Sequence, residues 1–140
     1  MASFLRPLLT GAVGRASIVN ERTGGVVVAE VETAFDSKTR NRGLLGRSGL
    51  PESVGLVIAP TNAVHTFFMR FPIDVVFVDR AGVVRRVVAN LRPWRISASL
   101  RAYAVLETAA GVIARSGTVA GDRLMVTTPP SGSAEPAVQR

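Results

Sequence analysis

From residue 26 onward the chain alternates short apolar runs with breaks rich in Gly, Pro and Asp. That spacing suits strands better than long helices. Residues 26–32 follow Gly24-Gly25 and read as a strand. Asp36 or Ser37 can cap a short helix running through Leu45 and closed by Gly46. Residues 55–59 read as a buried strand ended by Pro60. Two further strands are expected at 64–69 and 73–79, joined near Pro72 as a hairpin. Asp79-Arg80-Ala81-Gly82 suits a tight turn. Strands are then expected at 83–91, 101–108 and 122–128, with residues 92–99 as a loop. Residues 109–115 suit one or two helical turns stopped near Gly117. Many short strands and few helices predict a compact α+β, mainly β domain. The expected architecture is small and barrel-like, an antiparallel or mixed sheet with one or two short helices.

The length of 140 residues fits one domain, and a hydrophobic content of 47% is enough for its core. Residues 23–127 hold the strand pattern and are expected to be the globular unit. Residues 1–22 are expected to be loosely ordered, with a faint transit-peptide character in their arginines and lack of acids before Glu21. Residues 128–140 read as a disordered tail, because Pro129-Pro130 opens a polar stretch with little to bury.

The net charge is +7, carried almost wholly by arginine, since Lys38 is the single lysine. A basic domain attracts nucleic acid or anionic membrane at long range. The arginines are scattered, however, so simple solubility accounts for them as well. Without cysteine there is no disulfide, thiolate nucleophile or thiolate zinc site. No run approaches the roughly 20 apolar residues of a membrane span, and the expected compartment is the cytoplasm.

Polar groups inside apolar strands must be paired or used. The single histidine, His65, lies in one such run with Phe67, Met69 and Phe71 on its face. Asp74 lies in the next run, with Val76 and Val78. A hairpin would bring His65 and Asp74 together, and the carboxylate would orient the imidazole. Glu107 shares a face with Tyr103 and Val105 in a third run. One histidine and two carboxylates could ligate a hard metal ion or do acid–base work. They could equally accept hydrogen bonds from loop amides and fix the fold.

Trp94, between Arg92 and Arg95, could stack on a sugar or base, or plug an open barrel end. Arg42, in the cluster Lys38, Arg40, Arg42 and Arg47, could meet phosphate, pair with a buried acid, or be solvated. Phosphate-loop, dinucleotide-binding and nucleophile-elbow motifs are absent, and a single histidine rules out H-E-x-x-H. No catalytic residue or metal site is therefore assigned, and the cofactor is left unknown.

These landmarks have a recognisable order. Arg42-Gly43-Leu44-Leu45-Gly46-Arg47 with Leu50 is followed by Gly55-Leu56, then His65-Thr66-Phe67-Phe68-Met69. Pro72-Ile73-Asp74 with Phe77 and Asp79 comes next, then Gly82-Val83-Val84. Leu106-Glu107 with Ala110-Gly111, Gly117 and Gly121-Asp122 complete the set. Over residues 27–126 the chain resembles domain-of-unknown-function family 192. The family's commoner form reads W-M-K-N-T before Pro-Leu-Asp. Here the link from Met69 to Asp74 is shorter and lacks Lys-Asn-Thr, so no role of that loop is carried over. The resemblance implies one small, mainly β domain, and no established activity, substrate or cofactor.

The residues support three functions. The first, which asks least of the chain, is a non-catalytic module binding a small ligand or partner through His65, Asp74, Glu107, Trp94 and Arg42. The others are a metal-assisted or acid–base enzyme using the same acids, and a nucleic-acid-binding domain using surface arginines.

Overall fold

The computed structural model describes residues 3–10 and 16–128. The expected disordered tail lies almost wholly outside them. The elements run α1 (Arg6–Thr10), β1 (Ser17–Asn20), β2 (Val26–Val28), β3 (Glu30–Ala34), α2 (Ser37–Arg42), β4 (Val54–Ile58) and β5 (Ala63–His65). They continue with β6 (Ile73–Val78), β7 (Val84–Leu91), β8 (Ile96–Ala98), β9 (Ala104–Ala109), α3 (Val112–Ser116) and β10 (Leu124–Thr127).

The central layer is a mixed five-stranded sheet in the order β3-β4-β9-β6-β7, in which only the β3–β4 pair is parallel. Its inner strands are almost wholly buried because both faces are covered, and they are apolar apart from Asp74, Glu107 and Thr108. On one face Val57, Val76, Val78 and Leu106 pack against α1, α3 and a second sheet, β10-β1-β2. On the other face Leu56, Ile58, Ile73, Val75, Phe77 and Val105 pack beneath Leu44, Val64 and Met69. A two-stranded ribbon, β5-β8, lies in that second layer.

The α+β, mainly β class holds. The strands do not close into a barrel, because β10-β1-β2, the central sheet and the ribbon remain three separate sheets. Glycine allows one close approach between layers. A Cβ at Gly55 would fall 2.7 Å from Leu106 Cδ1 and against the Val28 methyls.

Three expectations change. The strand expected at 26–32 is split at Ala29. Both Ala29 N–H and Glu30 N–H donate to the Ser53 carbonyl there, and the chain passes from one sheet to the other. The boundary expected after residue 22 falls within a sheet, since β1 pairs with β10 and Phe4, Leu5 and Leu8 are buried. Finally, 64–69 does not form a hairpin with 73–79. The strand stops at His65, and β5 pairs instead with β8, in the segment expected to be a loop. Among the described residues no helix is long and apolar enough to cross a membrane.

Candidate functional site

Strand register decides which of the candidate acids meet. Within β6, Ile73, Val75 and Phe77 face the second layer, and Asp74 points the opposite way. On β9, Glu107 sits opposite Val75, whereas Asp74 sits opposite Thr108. The two acids therefore lie on opposite faces of the same sheet.

Asp74 is 1% exposed. Its Oδ1 accepts the Asn90 N–H at 2.8 Å, and its Oδ2 accepts those of Gly111 at 3.0 Å and Ile113 at 2.8 Å. These bonds fix the start of α3 and hold Asn90 at φ 56°. Charge-assisted bonds of this kind compensate a buried carboxylate for lost hydration. Asp74 is thus an architectural anchor, the alternative left open by the sequence, and it does not orient His65.

Glu107 is the opposite case. It is 4% exposed, yet it accepts no hydrogen bond from any described residue. Burial pushes its carboxyl up to about 7, and the positive Arg47 pulls weakly the other way. Arg47 itself is held by an ion pair to Glu32 at 2.6 Å. The pairing considered for Arg42 therefore occurs at Arg47, with a half-exposed acid rather than a buried one.

Glu107 lines a cavity of about 210 Å³. Leu44, Ile58, Val64 and Met69 give the cavity its apolar wall, and Arg40, Arg42, Thr61 and His65 are its polar lining. The positions of Arg40 and Arg42 follow from local chemistry. Asp36 caps α2 in a reciprocal capping box with Thr39, and the Gly43 N–H closes the helix on the Thr39 carbonyl. The helix ends three residues short of the expected Gly46 stop, with Arg40 and Arg42 in its last turn. Arg40 is spent on the Phe35 carbonyl at 2.8 Å. The Arg42 guanidinium is exposed and bonds no described residue.

His65 is oriented without a carboxylate. Its Nδ1 accepts the Phe67 N–H at 3.2 Å, which leaves the proton of the neutral ring on Nε2. The ring stacks on Phe67 at 4.9 Å. Trp94 is exposed rather than plugging a barrel end. It packs on Phe68 at 4.6 Å and on Phe67 at 5.8 Å, outside the cavity. The cavity therefore unites Arg42, His65 and Glu107, but neither Asp74 nor Trp94. Among the described residues no three His, Asp or Glu side chains are placed to share a metal ion.

Sequence reasoning missed Leu44, Met69 and Thr66. Thr66 is fully buried; its hydroxyl donates to the Arg92 carbonyl and accepts the Arg95 N–H, tying two distant loops together. A lone threonine in an aromatic run gave no sign of so distant a partner.

Residues 18–126 match the model of domain-of-unknown-function family 192, described as an uncharacterised ACR, and the chain belongs to that family. Its fold is similar to that of a candidate transcription regulator from Sinorhizobium meliloti 1021. The two are 25% identical with a TM-score of 0.70, over 79% of this chain and 91% of that one. It is also similar to a protein of unknown function from Novosphingobium aromaticivorans DSM 12444, 25% identical with a TM-score of 0.65, over 78% of this chain and 81% of that one. No curated protein matches the chain.

Proposed function

We propose that this member of family 192 is a non-catalytic module that binds a small polar molecule in the cavity between α2, β5 and Glu107. The observation that carries the reading is Glu107, a buried carboxyl at the edge of open space that accepts no hydrogen bond from any described residue. Leaving such a group unsatisfied costs stability, and a ligand that brings N–H donors removes that cost. The volume of about 210 Å³ suits a molecule smaller than the drug-sized ligands of typical pockets, which fill roughly 300–1,000 Å³. Arg42, which bonds no described residue, favours an anionic group at the other end. A small zwitterion, with its amine toward Glu107 and its acid toward Arg42, satisfies both.

The test is a thermal-shift screen of the full chain with amino acids, amines, small carboxylates, nucleotides and divalent metals. Amine-bearing zwitterions are expected to raise the melting temperature of the native protein, but not that of Glu107→Gln or Arg42→Ala. An equal shift in Glu107→Gln would overturn the assignment.

A second reading has one observation in its favour. A carboxyl near 7 in the same cavity as an imidazole is suited to general acid–base chemistry. Turnover of a stabilising compound would establish this reading in place of simple binding.

A further inference from the structure

A second feature lies beside the cavity. Phe68 is 71% exposed, Trp94 55% and Ile96 67%. They form one patch. Phe68 and Trp94 are in ring contact, Phe67 joins Trp94 to His65, and Ile96 is directly opposite His65 on the β5-β8 ribbon.

The patch is held in place. Phe68 and Trp94 sit at φ 66° and 68°, a left-handed backbone unfavourable for side chains of this size. The buried Thr66 keeps both loops there. Besides its hydroxyl bonds, its carbonyl accepts the Trp94 N–H at 2.9 Å and its N–H donates to the Arg95 carbonyl at 2.8 Å. A chain that fixes two aromatic rings outward against backbone preference has a surface use for them.

The two segments that carry the patch hold charge of one sign. Residues 61–73 and 91–103 contain Arg70, Arg92, Arg95 and Arg101 and no acid. The Arg70 and Arg92 guanidinium groups bond no described residue, and Arg95 reaches only neighbouring carbonyls. Two copies meeting through this patch would oppose like charges, so the occupant is anionic. The rings of Phe68 and Trp94 tilt against each other at 58°, so they share no plane on which successive bases could stack. Ile96 adds an aliphatic side chain, and all three stand off the surface. Protruding aromatic and aliphatic groups with arginines suit the headgroup boundary of a bilayer.

We propose that Phe68, Trp94 and Ile96, with Arg70, Arg92 and Arg95 on the same loops, dock this protein on an anionic lipid surface.

Trp94 is the single tryptophan and reports from the site itself. The full chain is mixed with vesicles of phosphatidylcholine alone or with 30% phosphatidylglycerol. The anionic vesicles are expected to shift Trp94 emission to the blue, and brominated lipid to quench it. Both effects should fall at least fivefold in 0.5 M salt and in Arg70→Glu/Arg92→Glu. Phe68→Ser should weaken vesicle co-sedimentation by a similar factor, with its melting temperature checking the fold. Glu107→Gln should bind vesicles normally, which separates this surface from the cavity. No blue shift with anionic vesicles would overturn the proposal. So would an equal response to neutral vesicles, to inorganic phosphate, or to single-stranded RNA.

Discussion

The two faces of the central sheet each carry one deeply buried carboxyl, and they are treated in opposite ways. Behind the sheet, Asp74 is surrounded by backbone donors that tie β7 and α3 to β6. In front, Glu107 lines open space and accepts no hydrogen bond from any described residue. Burial alone therefore does not identify a functional acid, because both are buried. Satisfaction separates them: the carboxylate whose lone pairs are used is architecture, and the one that accepts no hydrogen bond from a described residue is the one we propose meets a ligand.

Substitution at the satisfied acid should have the largest effect. In Asp74→Asn the amide nitrogen must meet at least one N–H donor whichever way the group is turned, and the charge is lost. Urea denaturation should show a loss of about 3 kcal/mol. A loss below about 0.5 kcal/mol would show that Asp74 does not anchor β7 and α3.

Glu107→Gln should move stability in the other direction, and with pH. The carboxyl titrates near 7 when folded, above the 4.5 of a free glutamate, so folding favours its protonated form. That contribution is complete below pH 4.5 and is lost as pH rises through 7. Denaturation at pH 8 should therefore find Glu107→Gln more stable than the native chain by about 3 kcal/mol, with little difference at pH 4.5. A variant destabilised at pH 8 would indicate a missed partner.

Two smaller effects sharpen the contrast between structure and surface. Thr66→Val should cost about 1–2 kcal/mol, because the Arg92 carbonyl and the Arg95 N–H, both partly buried, lose their hydroxyl partner. It should also broaden the environment of Trp94, seen as a change in its fluorescence anisotropy. Arg42→Ala removes an exposed guanidinium that bonds no described residue, so its unfolding free energy should stay within about 0.5 kcal/mol of the native value. Binding in the cavity should nevertheless be lost.

The extent to which the sequence foretold this follows from what a local pattern contains. Parity within one strand is visible, so the pairing of Glu107 with Val105 on one face held. Register between strands is not local. A one-residue offset placed Asp74 opposite Thr108 and sent it to the far face. The stop at His65 was hidden for a similar reason. Phe68 enters the left-handed region only because Thr66 reaches across to residues 92–95. Pro93 and Trp94 made the approach to β8 look like a loop throughout. By contrast, the Asp36 cap and the Asp79–Gly82 turn rest on chemistry between close neighbours, and both appear as expected. Arg42, His65 and Glu107 were legible as polar residues in need of a purpose. Their meeting around one cavity was not.

The most direct test of the account is the titration of the Glu107 side-chain carboxyl by carbon-13 NMR, assigned by its disappearance in Glu107→Gln. The expected midpoint is near 7 in the free protein, and it should fall on addition of a compound that stabilises the fold through its amine. A midpoint near 4.5 would mean that water or protein already satisfies the carboxylate, and would contradict the claim that it is held ready for a ligand.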